Sequence, residues 1–179
     1  MLLLKSTGVI RRIDELGRIV IPKEIRKNLK IRDGESMEIF IDLDSIILKK
    51  HSRIEDSINY TKKLCIILHT LTNNEIIITD RERIISSEGE TLKELENEIL
   101  SKEMTNIIDN RENHFSAEET EINITNNQKI KGFISTVPII VSADSIGLVI
   151  IKSQTSATKE AKILAQFISS LISMQIEVI

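Results

Sequence analysis

The amino-acid sequence predicts an α+β fold in two parts. Residues 1–53 are expected to form a small β-barrel from two interleaved copies of the chain, and residues 54–179 an α/β sandwich with an antiparallel sheet. Three patterns predict this division. Short apolar strands alternate with tight turns near the N-terminus, the charge changes sign along the chain, and long amphipathic helices bracket paired strands in the remainder.

The first strands and turn are inferred from apolar runs and turn residues. Two apolar segments, residues 9–13 and 18–21, flank a turn at 14–17 that ends in Gly17, a residue able to adopt positive φ. Pro22 lacks an N–H and presets φ, which suits the first turn of a helix rather than a central strand. The pattern therefore predicts two strands joined by a turn, followed by a short cationic helix.

A second hairpin follows the turn pair Asp33 and Gly34. Residues 36–42 alternate apolar and polar with the period of a strand, and residues 46–49 are expected to form a fourth strand. A segment of about 50 residues buries little core by itself, and these strands carry apolar residues on both faces. A second copy with interleaved hairpins supplies the missing layer, so we predict an obligate homodimer with no stable N-terminal monomer.

The charge distribution separates a basic head from an acidic body. Residues 1–32 hold nine Lys and Arg against three Asp and Glu, a net charge of +6. Residues 33–53 have three against five, and residues 54–179 have twelve against nineteen, so that the chain carries -3 overall. This asymmetry is expected of a nucleic-acid-binding head joined to a second module, although an ordinary solvated face explains the charge alone equally well.

The same N-terminal residues carry a resemblance to a known family. Leu-Gly-Arg-Ile-Val-Ile-Pro-Lys-Glu-Ile-Arg at 16–26, Glu-Ile-Phe-Ile-Asp at 38–42 and Ile-Ile-Leu-Lys-Lys at 46–50 resemble the AbrB-type swapped-hairpin domain of bacterial transition-state regulators. The resemblance implies a homodimeric swapped-hairpin β-barrel that binds double-stranded DNA. With its C-terminal region, the whole chain resembles the sporulation regulators of this family, which implies sequence-preferring activation or repression of transcription in the cytoplasm of the developing spore.

The resemblance also implies which residues contact DNA. Carried over position by position, the contacts fall on Arg11, Arg18 and Arg26, with Arg12 and Lys27 beside them. A lysine at position 27, where family members often have arginine, favours a phosphate contact over bidentate base readout. With the neighbouring cations added, the predicted DNA-binding set is Lys5, Arg11, Arg12, Arg18, Lys23, Arg26 and Lys27.

Some of these cations have more specific expectations. Arg18, at the exit of the loop, is the best candidate to reach guanine O6 and N7 in the major groove. Arg12 has an alternative, an ion pair with Asp14 or Glu15, and Lys23 is open to simple solvation. Since the helix is short, part of the sequence preference is expected to come from DNA deformability.

The C-terminal region alternates helices with paired strands, an order that matches a GAF-type sensor domain with helices on the faces of an antiparallel sheet. In GAF domains the middle helices and polar loop often cover a small-molecule pocket, so an unknown effector is expected at residues 91–130. Pro138 places its strand at an edge or a bulge. The predicted elements are a helix at 54–71, a hairpin at 75–79 and 83–86, a helix opened by the capping-box pair Thr91 and Glu94, a helix at 102–109, strands at 121–125, 132–141 and 146–152, and a helix at 158–176.

The final helix and the helix that begins at Ile54 carry more apolar residues than one covered face requires. Because surplus apolar surface marks an interaction site, we predict a dimer of dimers. The C-terminal domain would then serve effector sensing or tetramerisation.

Residues able to support catalysis or metal binding are not grouped in the sequence. Cys65 lies on an apolar helical stripe and is expected to be an inert core residue, and the three histidines lack metal-ligand spacing. We therefore expect no cofactor, no metal and no enzymatic activity. The N-terminal apolar run is too short for a signal peptide, and no apolar stretch has the length of a membrane span, so a cytoplasmic protein without a membrane partner is expected. Leu4 stands where the family usually starts, so either the start lies there or three apolar residues extend it.

The leading interpretation is a DNA-binding transcriptional regulator. The alternative is an antitoxin, because antitoxins also use the swapped-hairpin head to bind their own operator. Antitoxins usually add a disordered tail that wraps a toxin, whereas residues 54–179 have the composition of a folded domain.

Overall fold

The chain divides into two compact units, Met1–His51 and Ser52–Ile179. Lys5, one of the predicted DNA-binding residues, lies outside the residues that the structure describes. The computed structural model describes residues 6–92, 94–154 and 159–177.

The first unit contains one helix and one β-hairpin: α1 (Lys23–Asn28), β1 (Met37–Asp42) and β2 (Ser45–Lys50). The two strands pair antiparallel, as the alternating pattern predicts. The helix follows Pro22, whose carbonyl oxygen accepts the N–H of Arg26 at 3.0 Å to close the first turn. The predicted helix and second hairpin are therefore confirmed.

The strands predicted at residues 9–13 and 18–21 do not form in the single chain. Within residues 6–21, all of which are described, the backbone pairs with itself only across the loop. There the Asp14 N–H donates to the Arg18 carbonyl at 3.1 Å, and the Gly17 N–H donates to the Asp14 carbonyl at 2.9 Å. The predicted turn is confirmed, but the strand prediction is wrong for one copy, because a strand requires a neighbouring backbone for its ladder.

One face of the β1–β2 hairpin is apolar and open to solvent. Ile39 pairs with Leu48 and Ile41 pairs with Ile46, so all four side chains lie on one face. Their exposed fractions range from 43% to 82%. Indeed, none of the described residues 6–51 has a fully buried side chain.

The second unit consists of a six-stranded antiparallel sheet with helices against both faces. The strand order is β4-β3-β8-β7-β5, and β6 pairs with a separate part of β7. The elements are α2 (Arg53–Asp56), α3 (Ile58–Thr72), β3 (Glu75–Thr79), β4 (Ile84–Glu88), α4 (Lys102–Asn110), β5 (His114–Phe115), β6 (Thr120–Asn123), β7 (Lys129–Val141), β8 (Asp144–Ser153) and α5 (Lys159–Glu177).

The central strands bury side chains on both faces and thereby separate two apolar cores. Alternate residues of a strand point to opposite faces, and the two clusters follow this alternation. The core under α3 and α5 includes Ile76, Ile78, Val149, Ile151, Ala165, Ile168 and Ile172. The core under α4 includes Ile77, Met104, Ile108, Ile134, Leu148 and Ile150.

This arrangement confirms the predicted α+β class and most of the predicted C-terminal elements. The hairpin of β3 and β4, the helix α4, the strands β6, β7 and β8 and the helix α5 lie within a few residues of their predicted positions. Pro138 sits beyond the part of β7 that pairs with β5, next to a register shift at Ile139 and Ile140, as a proline at an edge or bulge should. Among the described residues, no helix combines the length and the apolar character that crossing a bilayer requires.

Two predicted helices differ from the structure. The helix predicted at 54–71 is interrupted at Ser57, which separates α2 from α3. The helix predicted from Thr91 is wrong: the segment turns instead, and Glu94 and Asn97 have positive φ. Non-local hydrogen bonds explain the second error, because the Asn97 N–H donates to the carbonyl of Ile84 on β4 at 2.8 Å.

Candidate nucleic-acid interface

A single carboxylate, that of Asp14, organises the first loop. Its Oδ1 accepts hydrogen bonds from the backbone N–H groups of Leu16 (3.0 Å) and Arg18 (2.8 Å). Its Oδ2 accepts a hydrogen bond from Arg18 Nε at 2.7 Å. Aspartate commonly initiates turns by bonding to backbone two residues on, and Gly17 completes this one with a φ of 75°. The loop therefore holds Arg18 by both its backbone and its side chain.

The ion pair of Asp14 and Arg18 lies at the surface. The Arg18 side chain is 70% exposed and the Asp14 side chain is 41% exposed. The backbone N–H of Arg18 and then its guanidinium group lower the pKa of Asp14, because both donate to the charged carboxylate. Asp14 is therefore ionised at neutral pH. The structure pairs Asp14 with Arg18, so Asp14 is not the partner in the alternative ion pair considered for Arg12.

Three predicted cations lie on α1. Lys23, Arg26 and Lys27 are spaced at i, i+3 and i+4, so they occupy one side of the helix. Lys23 and Lys27 are exposed, and Arg26 is half-buried. The two cations of the last turn complement the helix dipole, as does Glu24 in the first turn.

Arg26 is held more firmly than the lysines beside it. Its Nη1 donates to Asp33 Oδ1 at 2.6 Å, and its side chain is 40% exposed. Its Nε is buried and has no hydrogen-bond partner within the described part of the chain. Since one Nη is engaged and the Nε is inaccessible, Arg26 offers less of its fork to a ligand than Arg18 does.

The remaining described cations of the set, Arg11 and Arg12, lie on the extended segment before the loop and are exposed. Arg11 Nη1 donates to the carbonyl oxygen of Ile10 at 3.0 Å. The structure thus gathers the cations of α1 on one helix and places Arg18 at the loop, while Arg11 and Arg12 stand on the preceding segment.

Sequence reasoning missed the two aspartates that hold the arginines. A local signal existed for Asp14, because an aspartate four residues before an arginine, with a glycine between, is the pattern of a side-chain-stabilised turn. No local spacing identifies Asp33, which lies beyond the end of α1 and reaches back to Arg26. Both aspartates hold functional candidates rather than being candidates themselves.

Comparison with known proteins shows what the two units resemble. Residues 58–177 match the family model described as stage V sporulation protein T C-terminal, transcription factor. Residues 10–56 match the model described as antidote-toxin recognition MazE, bacterial antitoxin.

Relatives cover both units. The chain is 35% identical over 163 residues to stage V sporulation protein T of Bacillus subtilis (strain 168), an alignment covering 89% of this chain and 92% of that protein. It is 34% identical over 98 residues to the transition state regulatory protein AbrB of the same organism, covering 54% of this chain and 94% of that protein. A solved structure of part of a methyl-accepting chemotaxis protein has a TM-score of 0.54 at 11% identity, covering 70% of this chain and 91% of that chain, and shows likeness of fold alone.

An AbrB-like unit with exposed cations, followed by a sheet-and-helix unit that matches a transcription-factor model, defines the class: a DNA-binding transcription regulator. More particularly, the chain belongs to the stage V sporulation protein T family.

Proposed function

We propose that this regulator binds double-stranded DNA through residues 1–53 and controls transcription during sporulation, in the cytoplasm of the developing spore, while residues 54–179 serve assembly. The main observation in support of DNA binding is that five cations of the first unit are exposed in a chain that is acidic overall. These cations are Arg11, Arg12, Arg18, Lys23 and Lys27. Such a concentration of cations is the electrostatic footprint of a phosphate-binding face.

Salt dependence tests the proposal. Fluorescence anisotropy of the full chain on a labelled duplex should show log K falling linearly with log salt concentration, since cations that neutralise phosphates release counterions. Lys27→Ala should reduce that slope by about one. The proposal fails if the chain does not bind duplex DNA in dilute buffer, or if its affinity is independent of salt.

The open face of the β1–β2 hairpin supports the obligate dimer. Four apolar side chains at this face are exposed in one copy, and no described residue of the first unit is fully buried. A second copy provides the layer that such a face needs. Each copy would also supply the ladder partner that residues 9–13 and 18–21 require to become strands.

The outer surfaces of α3 and α5 support the dimer of dimers. Each helix covers the sheet with one side and exposes large apolar residues on the other. The exposed residues are Ile66, Ile67 and Leu71 on α3 and Ile163, Phe167 and Met174 on α5. Together they form apolar patches of the kind that marks a protein interface.

Sedimentation velocity separates the two levels of assembly. The wild-type chain should sediment as four copies and Phe167→Glu as two, because a charge at a buried contact opposes only the second interface. Ile39→Glu should remove the dimer, whereas Leu43→Glu, at a turn residue 94% exposed, should not. A wild-type mass of one chain contradicts both proposals, and a wild-type mass of two contradicts the dimer of dimers.

Part of the stretch at residues 91–130, where an effector is expected, belongs to the apolar core of the second domain. Side chains from this stretch, including Leu92, Leu95 and Met104, fill the apolar core under α4. An open groove of about 550 Å³ lies between the Pro138 end of β7 and α5, and Asn113 of this stretch contributes to its lining.

The antitoxin alternative receives less support. The match to an antitoxin model spans residues 10–56 only. The rest of the chain forms two packed cores, unlike the disordered tail that wraps a toxin.

We also propose that the protein is not an enzyme. One relative is named as a transition state regulatory protein, and the model that matches residues 58–177 is described as a transcription factor. Cys65 is buried, and burial raises the pKa of its thiol to about 12, which opposes the reactive thiolate that thiol catalysis needs.

A further inference from the structure

Most of the hydrogen bonds in the loop at residues 14–18 involve Arg18. Of the three bonds that the Asp14 carboxylate accepts, two come from Arg18, one from its backbone and one from its Nε. The loop backbone adds a bond from the Asp14 N–H to the Arg18 carbonyl. These contacts hold the backbone and the Nε of Arg18, and so restrain a side chain that would otherwise sample many rotamers.

The remaining part of the guanidinium group faces solvent. Within the described residues, neither Nη1 nor Nη2 of Arg18 makes a hydrogen bond, and the side chain is 70% exposed. An arginine that keeps its two Nη groups available can donate both to guanine O6 and N7. The ion pair with Asp14 therefore restrains Arg18 at Nε and leaves Nη1 and Nη2 free to bind.

Asp14 carries a cost for DNA affinity. A carboxylate near phosphates repels them, so a surface designed only for affinity would lack it. Holding a long side chain in place lowers the rotamer entropy that is lost on binding. Asp14 thus lowers the overall affinity for DNA but improves the positioning of Arg18. This combination is expected of a residue that contributes to sequence preference.

We propose that Asp14 is a positioning residue for DNA readout, which holds Arg18 so that its two Nη groups contact a base edge. The inference rests on the proposed DNA-binding function. Arg26 provides the contrast: its ion pair with Asp33 engages Nη1 and its Nε is buried, so its fork is not presented in the same way.

The test compares two duplexes and two charge-neutralising variants of the full chain. One duplex is enriched from a random-sequence pool by the wild-type protein, and the other is a scrambled duplex of the same length and base composition. The first variant, Asp14→Asn, removes the charge of the carboxylate with the least change in side-chain shape. Glu15→Gln removes the same charge from the same loop and is the matched control, because Glu15 is exposed and, among the described residues, makes no hydrogen bond or ion pair with Arg18.

Electrostatics and positioning predict opposite results for the preferred duplex. Glu15→Gln should raise the affinity for both duplexes by a similar factor and leave their ratio unchanged. Asp14→Asn should lower that ratio by about tenfold, the order expected for loss of one bidentate base contact, while affinity for the scrambled duplex rises or stays constant. Circular dichroism and sedimentation of both variants check that the fold and assembly persist.

A double-mutant cycle shows whether Asp14 acts through Arg18. In an Arg18→Ala background, Asp14→Asn should have no further effect on the ratio. Arg18→Lys provides a second measurement that does not disturb Asp14: it keeps the charge, so the salt slope should hold while the ratio falls.

Three outcomes overturn the inference: an unchanged ratio for Asp14→Asn, a full additional loss in the Arg18→Ala background, or an unchanged ratio for Arg18→Lys. Failure of the proposed function is a different result. In that case the wild-type chain enriches no duplex from the pool and binds neither probe.

Discussion

Replacing Lys152 by alanine removes the partner of a buried carboxylate. Glu75 on β3 is 3% exposed and lies directly opposite Lys152 on β8. Lys152 Nζ donates to Glu75 Oε2 at 2.9 Å and to the Thr91 hydroxyl at 2.9 Å. Thr91 donates its backbone N–H to Oε1 at 3.0 Å and its hydroxyl to Oε2 at 2.5 Å. The three residues form a closed polar cluster that ties the segment after β4 to the sheet.

The expected loss of stability follows from the burial of the pair. Removing one partner of a buried ion pair costs about 3–5 kcal/mol, because the other charge remains buried and unpaired. The Lys152 side chain is 15% exposed, so water partly reaches it, and Thr91 keeps its two bonds to Glu75. We therefore expect the lower end, about 3 kcal/mol, which corresponds to a fall in Tm of roughly 10 °C for a domain of this size.

Urea unfolding followed by far-UV circular dichroism measures this loss, since most of the helical signal comes from α3 and α5 of the second unit. Lys129→Ala is the matched control. Its partner Glu121 lies at a similar distance, 3.0 Å, but both side chains are more than half exposed, so the control should cost less than about 1 kcal/mol. If both variants cost the same, the ion pair of Glu75 does not stabilise the fold as argued.

The same cluster makes stability depend on pH. Burial raises the pKa of Glu75, but the hydrogen bonds from Thr91 and Lys152 outweigh it and leave the pKa below its ordinary value of 4.5. A depressed folded-state pKa stabilises the protein above the unfolded pKa, and this stabilisation is lost as the pH falls through the folded value. Urea midpoints of the wild type should therefore fall more steeply below pH 4.5 than those of Glu75→Gln, and parallel curves would contradict the assignment.

Two further predictions concern buried positions of the second unit. Gly147→Ala on β8 should destabilise the chain by about 3 kcal/mol or more, because a Cβ there would overlap the carbonyl oxygen of Thr79 and lie 2.5 Å from Ile54 Cδ1. If the variant unfolds at the same urea concentration as the wild type, the backbone has moved to accept the Cβ and the prediction is wrong. Cys65 should react with Ellman's reagent at pH 8 only after unfolding, because burial and a pKa of about 12 keep its thiol protonated and covered; rapid reaction of the folded chain would place it at the surface.

Elements with local signals were predictable from the sequence. Pro22 and the cations after it identify α1, the alternation at residues 36–42 identifies β1, and the apolar stripe of α5 marks the last helix. These signals depend on residues within one or two turns of each other, so they persist whatever the rest of the chain does. The α+β class and the basic head followed from them.

The segment after Thr91 shows where local reasoning failed. Its capping-box spacing predicts a helix, yet Thr91 donates to Glu75, sixteen residues earlier, rather than capping a helix. Leu92 and Leu95 turn into the core under α4. A helical propensity is worth tenths of a kilocalorie per residue, so burial and ion-pair contacts override it.

The sequence by itself determined the α+β class, the placement of most helices and hairpins, and the concentration of cations near the N-terminus. Only the tertiary structure decided that Asp33 holds Arg26, that Thr91 bonds to Glu75 instead of capping a helix, and that one hairpin face of a single copy remains uncovered. The physical reason is range: periodicity and turn chemistry act between near neighbours, whereas ion-pair partners and burial depend on which distant segments the folded chain brings together.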